Sequence, residues 1–167
     1  MKNRKNLKKT FLWLLVFVIL LSGFYGCSLN ITSVSKKIVQ GKTDEFRVKG
    51  MISKIFFLDD EKIFLYELKD AKDSNTYALL LSDKKYKKGD KLEIVVETFR
   101  IMKSDYESSK DTYWNYMKSY ILKKTIYSNT EIILLLRKIE LIIKQYIEKE
   151  ESVLMMLDLY TNTGSLD

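Results

Sequence analysis

The chain has 167 residues, no proline, no histidine and one cysteine, with a formal charge of +7 at neutral pH. Lacking histidine and a second thiol, it has no Ser-His-Asp or Cys-His nucleophilic machinery, no ordinary zinc ligand set and no internal disulfide. Five of the 29 basic residues and none of the 22 acidic ones fall in residues 1–26, so the rest carries only +2 and exerts no global pull on a polyanion.

The first elements in chain order are a basic stretch, MKNRKNLKKT, and an apolar run from Phe11 to Leu21, followed by the small residues Ser22 and Gly23. This is the n-region, h-region and cleavage approach of a secretory signal peptide. The lone thiol follows at Gly26-Cys27, in the sequence LLSGFYGCSLN. These residues resemble the leader of bacterial lipoproteins, in a Lys-, Ile- and Asn-rich style similar to those of spirochaetes. Gly26 and Cys27 fit the lipobox, while Phe24 and Tyr25 depart from it. The resemblance implies that Cys27 takes diacylglycerol, that residues 1–26 are removed, and that a palmitate-type anchor holds the chain in the cell envelope. It does not distinguish inner from outer membrane, or the periplasmic from the surface face. Two other readings stay open: an uncleaved membrane helix from Thr10 to about Leu29, and a Cys27 that is a buried bystander.

Residues 28–43, SLNITSVSKKIVQGKT, are polar and without clear periodicity, so residues 27–43 read as lipidated cysteine and tether. From Asp44 the pattern alternates, with Phe46, Val48, Gly50 and Ile52 on one face and Glu45, Arg47 and Lys49 on the other, as in a half-buried strand. Beyond Ile52 the alternation slips by one, as it does at a bulge. The turn Asp59-Asp60-Glu61 leads to a second strand in KIFLYELKD, where Phe64 and Tyr66 share a face. A turn in DAKDSN precedes a third strand in NTYALLLS, and KKYKKGD precedes a fourth in KLEIVVETF.

A long first strand broken at a glycine, two hairpins and a Lys-Gly-Asp turn resemble an OB-fold, carried by Val48-Lys49-Gly50-Met51-Ile52 and Lys88-Gly89-Asp90-Lys91-Leu92. The resemblance implies a small five-stranded barrel over residues 44–127, with SYILKKTIY as fifth strand. OB-folds place a plugging helix between their third and fourth strands; Asp83 to Gly89 is too short for one. Residues 103–118 fit helix or loop.

Ser128-Asn129-Thr130-Glu131 forms a capping box. After it, Ile132, Leu136, Ile139, Ile143, Tyr146, Val153, Leu157 and Tyr160 recur at heptad-like spacing. The expectation is a mainly β chain with a C-terminal amphipathic helix over residues 128–160, or two helices, packed on the barrel and replacing the plug. Part of it is also suited to a partner helix. Residues 161–167 read as a tail.

Little in the chain carries chemistry. Asp59, Asp60 and Glu61 diverge in a turn, and Asp70, Asp73 and Asn75 lack the alternation of a calcium loop. No catalytic residue, metal or cofactor is assigned. Lys84, Lys85, Lys87 and Lys88 surround Tyr86 in a basic turn that reads as a charged, soluble hairpin tip or as one that touches anionic lipid; export argues against nucleic acid. Tyr113, Trp114, Tyr116 and Tyr120 form an aromatic segment that serves either a core or an interface. The sequence therefore points to a non-enzymatic binding or assembly module anchored to a membrane, with a protein partner in the envelope. The alternative is a ligand or polyanion binder using residues 113–120 and 84–88.

Overall fold

The computed structural model describes residues 27–57, 62–70 and 75–159. The elements are β1 (Leu29–Asn30), α1 (Ile31–Lys37), β2 (Asp44–Phe57), β3 (Phe64–Lys69), β4 (Tyr77–Ser82), β5 (Lys91–Met102), α2 (Tyr106–Lys124), α3 (Asn129–Ile147) and β6 (Ser152–Asp158). The leader, the Asp59-Asp60-Glu61 turn, Asp73 and the 161–167 tail lie outside the described residues.

Five strands close a mixed barrel in the order β2-β3-β4-β6-β5 and back to β2, with β4 and β6 parallel and every other pair antiparallel. β2 is long enough to serve two neighbours. Its first half pairs with β5 from Asp44 to Met51, and its second half pairs with β3 from Met51 onward. The register shifts between Ile52 and Lys54, where the sequence pattern slips. Val48, Gly50 and Ile52 face inward, while Arg47 and Lys49 reach outward to Glu93 at 3.0 and 3.4 Å.

Two apolar cores result. The barrel interior holds Val48, Ile52, Phe64, Tyr66, Leu68, Leu80, Val96, Leu154 and Met156. A second core lies outside the barrel, where α2 and α3 cover Leu65, Leu79, Leu81, Phe99, Ile101, Val153 and Met155. Strands sandwiched in this way carry apolar residues on both faces and show no alternation.

The barrel is stoppered at both ends. At the Asp70 end of β3, α1 lies across the mouth and buries Ile31, Val34 and Ile38. Asn30 caps it, accepting from the Ser33 N–H at 2.8 Å, and Asp70 accepts from the Thr32 N–H and hydroxyl at 3.2 and 2.8 Å. On the opposite rim the Arg100 guanidinium donates to the Ser35 carbonyl, and the Gln40 amide donates to Asp105 at 2.9 Å. Gly50 makes the seat possible: a Cβ there would lie 2.7 Å from Leu68 Cδ2 and 3.2 Å from Ile31 Cδ1. At the Phe64 end of β3, Tyr86 turns inward against Tyr66 with ring centroids 5.5 Å apart.

Several expectations are corrected. The segment expected to be a tether is β1 and α1, a strand parallel to β2 (Leu29 opposite Val48) followed by the plug. Its apolar residues are too few and too closely spaced to show a period over seven helical residues. SYILKKTIY is no strand; it contributes the last turns of α2, whose buried Tyr106, Tyr113, Met117 and Tyr120 recur every three, four or seven residues. Residues 103–118 are thereby mostly helix. The 128–160 segment is neither one helix nor two. It is α3, built on the expected Ser128–Glu131 capping box, and then β6, the fifth barrel strand. Val153 and Leu157 mimic a helical stripe because every residue from Val153 to Asp158 is buried, so the strand has no polar face to betray it.

Candidate functional site

The sequence-selected residues fall into three places. Cys27 is exposed and stands two residues before β1. The aromatic segment lies on α2 and divides by helical phase. Tyr113 and Tyr120 are buried, and Tyr113 and Tyr116 pack on Phe99 with centroids at 5.8 and 5.3 Å. Phe64 and Tyr66, which share a strand face, line the barrel interior instead of joining these aromatics at a surface. Trp114 alone faces a surface groove.

That groove runs between α2 and α3, a space of about 510 Å³ lined by Trp114, Asn115, Lys118, Ile132, Ile133 and Leu136, among others. Trp114, Lys118 and Leu122 share one face of α2 at four-residue steps, and Lys110 sits over the indole ring at 5.2 Å. The Trp114 indole N–H is buried and meets no acceptor among the described residues, an arrangement that costs free energy. Exposed apolar side chains continue from the groove. Leu122 and Ile126 lie at the α2–α3 connection, with Ile126 97% exposed, and Ile133, Leu134 and Leu141 lie on α3. Leu134 and Leu141, seven residues apart, share the outward face of α3. Five exposed aliphatic residues on one hairpin exceed the scattered single residues of an ordinary surface.

The basic turn closes the Phe64 end of the barrel. Tyr86 does not stand among Lys84, Lys85, Lys87 and Lys88 as a stacking platform; its phenol donates to Asp158 at 3.1 Å, inside the barrel mouth. Asp158 is fully buried and also accepts from the Ser82 hydroxyl at 2.8 Å. Burial, and then the Asp158 charge, push the Tyr86 phenol far above its usual range, so it stays a proton donor. Lys124 bridges from α2 to Asp83 at 3.3 Å, and Lys62 lies over the Tyr127 ring at 5.0 Å. The start of the turn, Lys62 just before β3 and the α2–α3 connection thus share one end of the molecule. Of the aromatic segment, only Tyr120 approaches the turn; burial first, then the charges of Asp158 and Asp83, raise its phenol.

One cluster escaped the sequence reading. Glu67, on β3, accepts from the Ser53 hydroxyl at 2.5 Å and from the Tyr146 phenol. Tyr146 meets Tyr77 and Phe56 edge-on, with centroids 5.2 and 6.2 Å away. Lys54, Gln145 and Lys149 complete a cleft of about 280 Å³. Burial, then the Glu67 hydrogen bond, raises Tyr146; burial, then Glu150, pushes Tyr77 up to about 12. Both phenols are donors at neutral pH, and each oxygen of Glu67 already has one. The signal was the register slip, since the bulge aims Ser53 at Glu67. Its partner on α3 could not be read from the chain.

Asp70, considered for calcium, is instead the acceptor that holds α1. Among the described residues no three His, Cys, Asp or Glu side chains gather to hold a metal, and no helix is long and apolar enough to cross a membrane. Comparison with known protein families, curated proteins and solved structures finds no match.

Proposed function

We propose that this chain is a membrane-anchored lipoprotein of the bacterial cell envelope, whose OB-like barrel carries a helical hairpin that binds a protein partner, without catalysing a reaction. The observation that carries the reading is the α2–α3 surface: a groove in which Trp114, Ile132, Ile133 and Leu136 lie among Asp111, Asn115, Lys118 and Asn129, beside five exposed aliphatic side chains.

The barrel's strand order and its single parallel closure, β4 with β6, support the OB-like assignment. Two departures inform function. The plug comes from α1, before the first barrel strand. The outer face of the second and third barrel strands, where OB-folds take oligonucleotides and oligosaccharides, lies under α2 and α3 at Leu65, Leu79 and Leu81. A ligand for that face would have to displace the hairpin, so binding moves outward onto the hairpin itself. Trp and exposed aliphatic residues on paired helices suit a partner helix or loop.

The test places a photocrosslinking residue at Leu134 or Leu141, and at Lys91 on the exposed side of β5, in cells making the full chain. One discrete adduct from the two α3 positions, absent from position 91, supports the reading. Equal yields at all three, or none, overturn it. Palmitate labelling tests the anchor: label lost in Cys27→Ala supports it, and equal label in parent and variant ends it.

A second reading, binding of a polyanion, is favoured by the basic turn, whose Lys85, Lys87 and Lys88 are exposed, at an end of the barrel where Lys62 lies over the Tyr127 ring. Exchange of Lys84, Lys85, Lys87 and Lys88 for Glu that leaves binding to anionic vesicles and oligonucleotides unchanged removes that reading.

A further inference from the structure

We infer that the α1 end of the barrel lies on the bilayer, in a fixed orientation, and that the hairpin tip bearing Leu122 and Ile126 is directed away from that membrane. The inference rests on the membrane-anchored reading above.

The geometry leaves little slack at the anchor. Cys27 stands two residues before Leu29, a reach of at most about 7 Å, against the roughly 20 Å or more of a flexible sixteen-residue linker. β1 runs parallel to β2, with Leu29 opposite Val48. Cys27 therefore lies toward the start of β2, at the barrel end closed by α1. The chain that follows is tied to both rims of that mouth, by Thr32 to Asp70 on one side and by Ser35 and Gln40 to Arg100 and Asp105 on the other. Burial of Ile31 and Val34 fixes it further. A lipid at Cys27 would pull on the barrel itself.

The surface at this end is compatible with headgroups. Lys36, Lys37 and Lys42 are exposed and make no ion pair among the described residues, and Val39 between them is 59% exposed. Cations next to an exposed aliphatic side chain, beside an acyl anchor, are what an anionic interface attracts. The hairpin tip is set differently. Lys124, at the end of α2, bridges to Asp83, and Lys62 lies over the Tyr127 ring, so the tip stands beside Ser82 and Phe64, whereas α1 is held at Asp70, beyond the other end of β3. The six residues of β3 run about 20 Å along the strand between them. The apolar hairpin tip is thus presented to whatever stands opposite the membrane that holds Cys27.

The full chain is prepared from the membranes of producing cells with one added cysteine, Val39→Cys or Ile126→Cys, tagged with a nitroxide and reconstituted in vesicles containing phosphatidylglycerol. Both positions are exposed, so neither substitution threatens the core. The expected result is a label at 39 several-fold less accessible to a water-soluble nickel chelate, and more accessible to bilayer oxygen, than the label at 126. Equal accessibility at both, or shielding at 126, overturns the orientation while leaving the anchor intact. A chain that does not sediment with membranes removes the anchored reading and this inference with it.

Discussion

Thr32 and Asp70, 38 residues apart, are joined by two hydrogen bonds to one carboxylate oxygen, from the Thr32 N–H at 3.2 Å and from its hydroxyl at 2.8 Å. Asp70 is 4% exposed, so removing its carboxylate takes the acceptor from the Thr32 N–H and hydroxyl and leaves α1 with the Asn30 cap alone. Asp70→Ala should cost about 1–3 kcal/mol in denaturant unfolding. Hydrogen exchange should rise first in residues 31–38, before the strands. Exchange that rises uniformly would mean that Asp70 supports the whole barrel rather than the plug.

Gly50 offers a sharper test of the same seat. An added methyl meets Leu68 at 2.7 Å and Ile31 at 3.2 Å, and both neighbours are fully buried. Gly50→Ala is expected to destabilise by about 1–3 kcal/mol through overpacking, although alanine normally favours an ordered backbone over glycine. Pairing it with Ile31→Val should recover part of the loss. A fully additive double variant would separate the two residues.

At the other mouth, Asp158 accepts from Ser82 and Tyr86. Asp158→Ala takes the shared acceptor from the Ser82 and Tyr86 hydroxyls and should cost about 1–3 kcal/mol. Asp158→Asn keeps an acceptor and should cost less. Tyr86→Phe, which removes one donor but keeps the ring against Tyr66, should be the mildest of the three. Thermal unfolding of the three variants gives the order, and Asn as damaging as Ala would show that the charge itself is needed.

The seam between α2 and α3 carries a pH dependence. Glu140 lies 2.6 Å from Lys110 on α2 and 3.1 Å from Lys144 on α3. Desolvation pushes its carboxyl up, but hydrogen bonds from the two lysines outweigh this and hold it below its ordinary value of 4.5. A carboxyl that is more acidic folded than unfolded contributes stability that is complete above pH 4.5 and is lost as pH falls through the folded value. Glu140→Gln should be less stable than the parent by about 1 kcal/mol at neutral pH, with the two converging below pH 4.5. Parallel stability curves across the acid limb would show that the pair contributes nothing.

The sequence by itself determined the parts whose environment is one-sided. β2 alternates because one face is core and the other is water, and the slip after Ile52 marks the bulge. The Ser128–Glu131 box is a contact between neighbours in the chain, and its two hydrogen bonds form as expected. The missing histidine and second thiol narrow the chemistry without any structure. Tertiary structure decided everything buried on two sides or built from distant segments. β6 had to be found by the β4 and β5 edges it fills, because its apolar run has no period of its own. α1 is a plug rather than a linker only because Gly50, Asp70 and Arg100, none of them nearby in sequence, form its seat. The same holds for the Trp114 groove and the Glu67 cleft. Local pattern records how each residue meets water, whereas a site records which distant residues exclude it together.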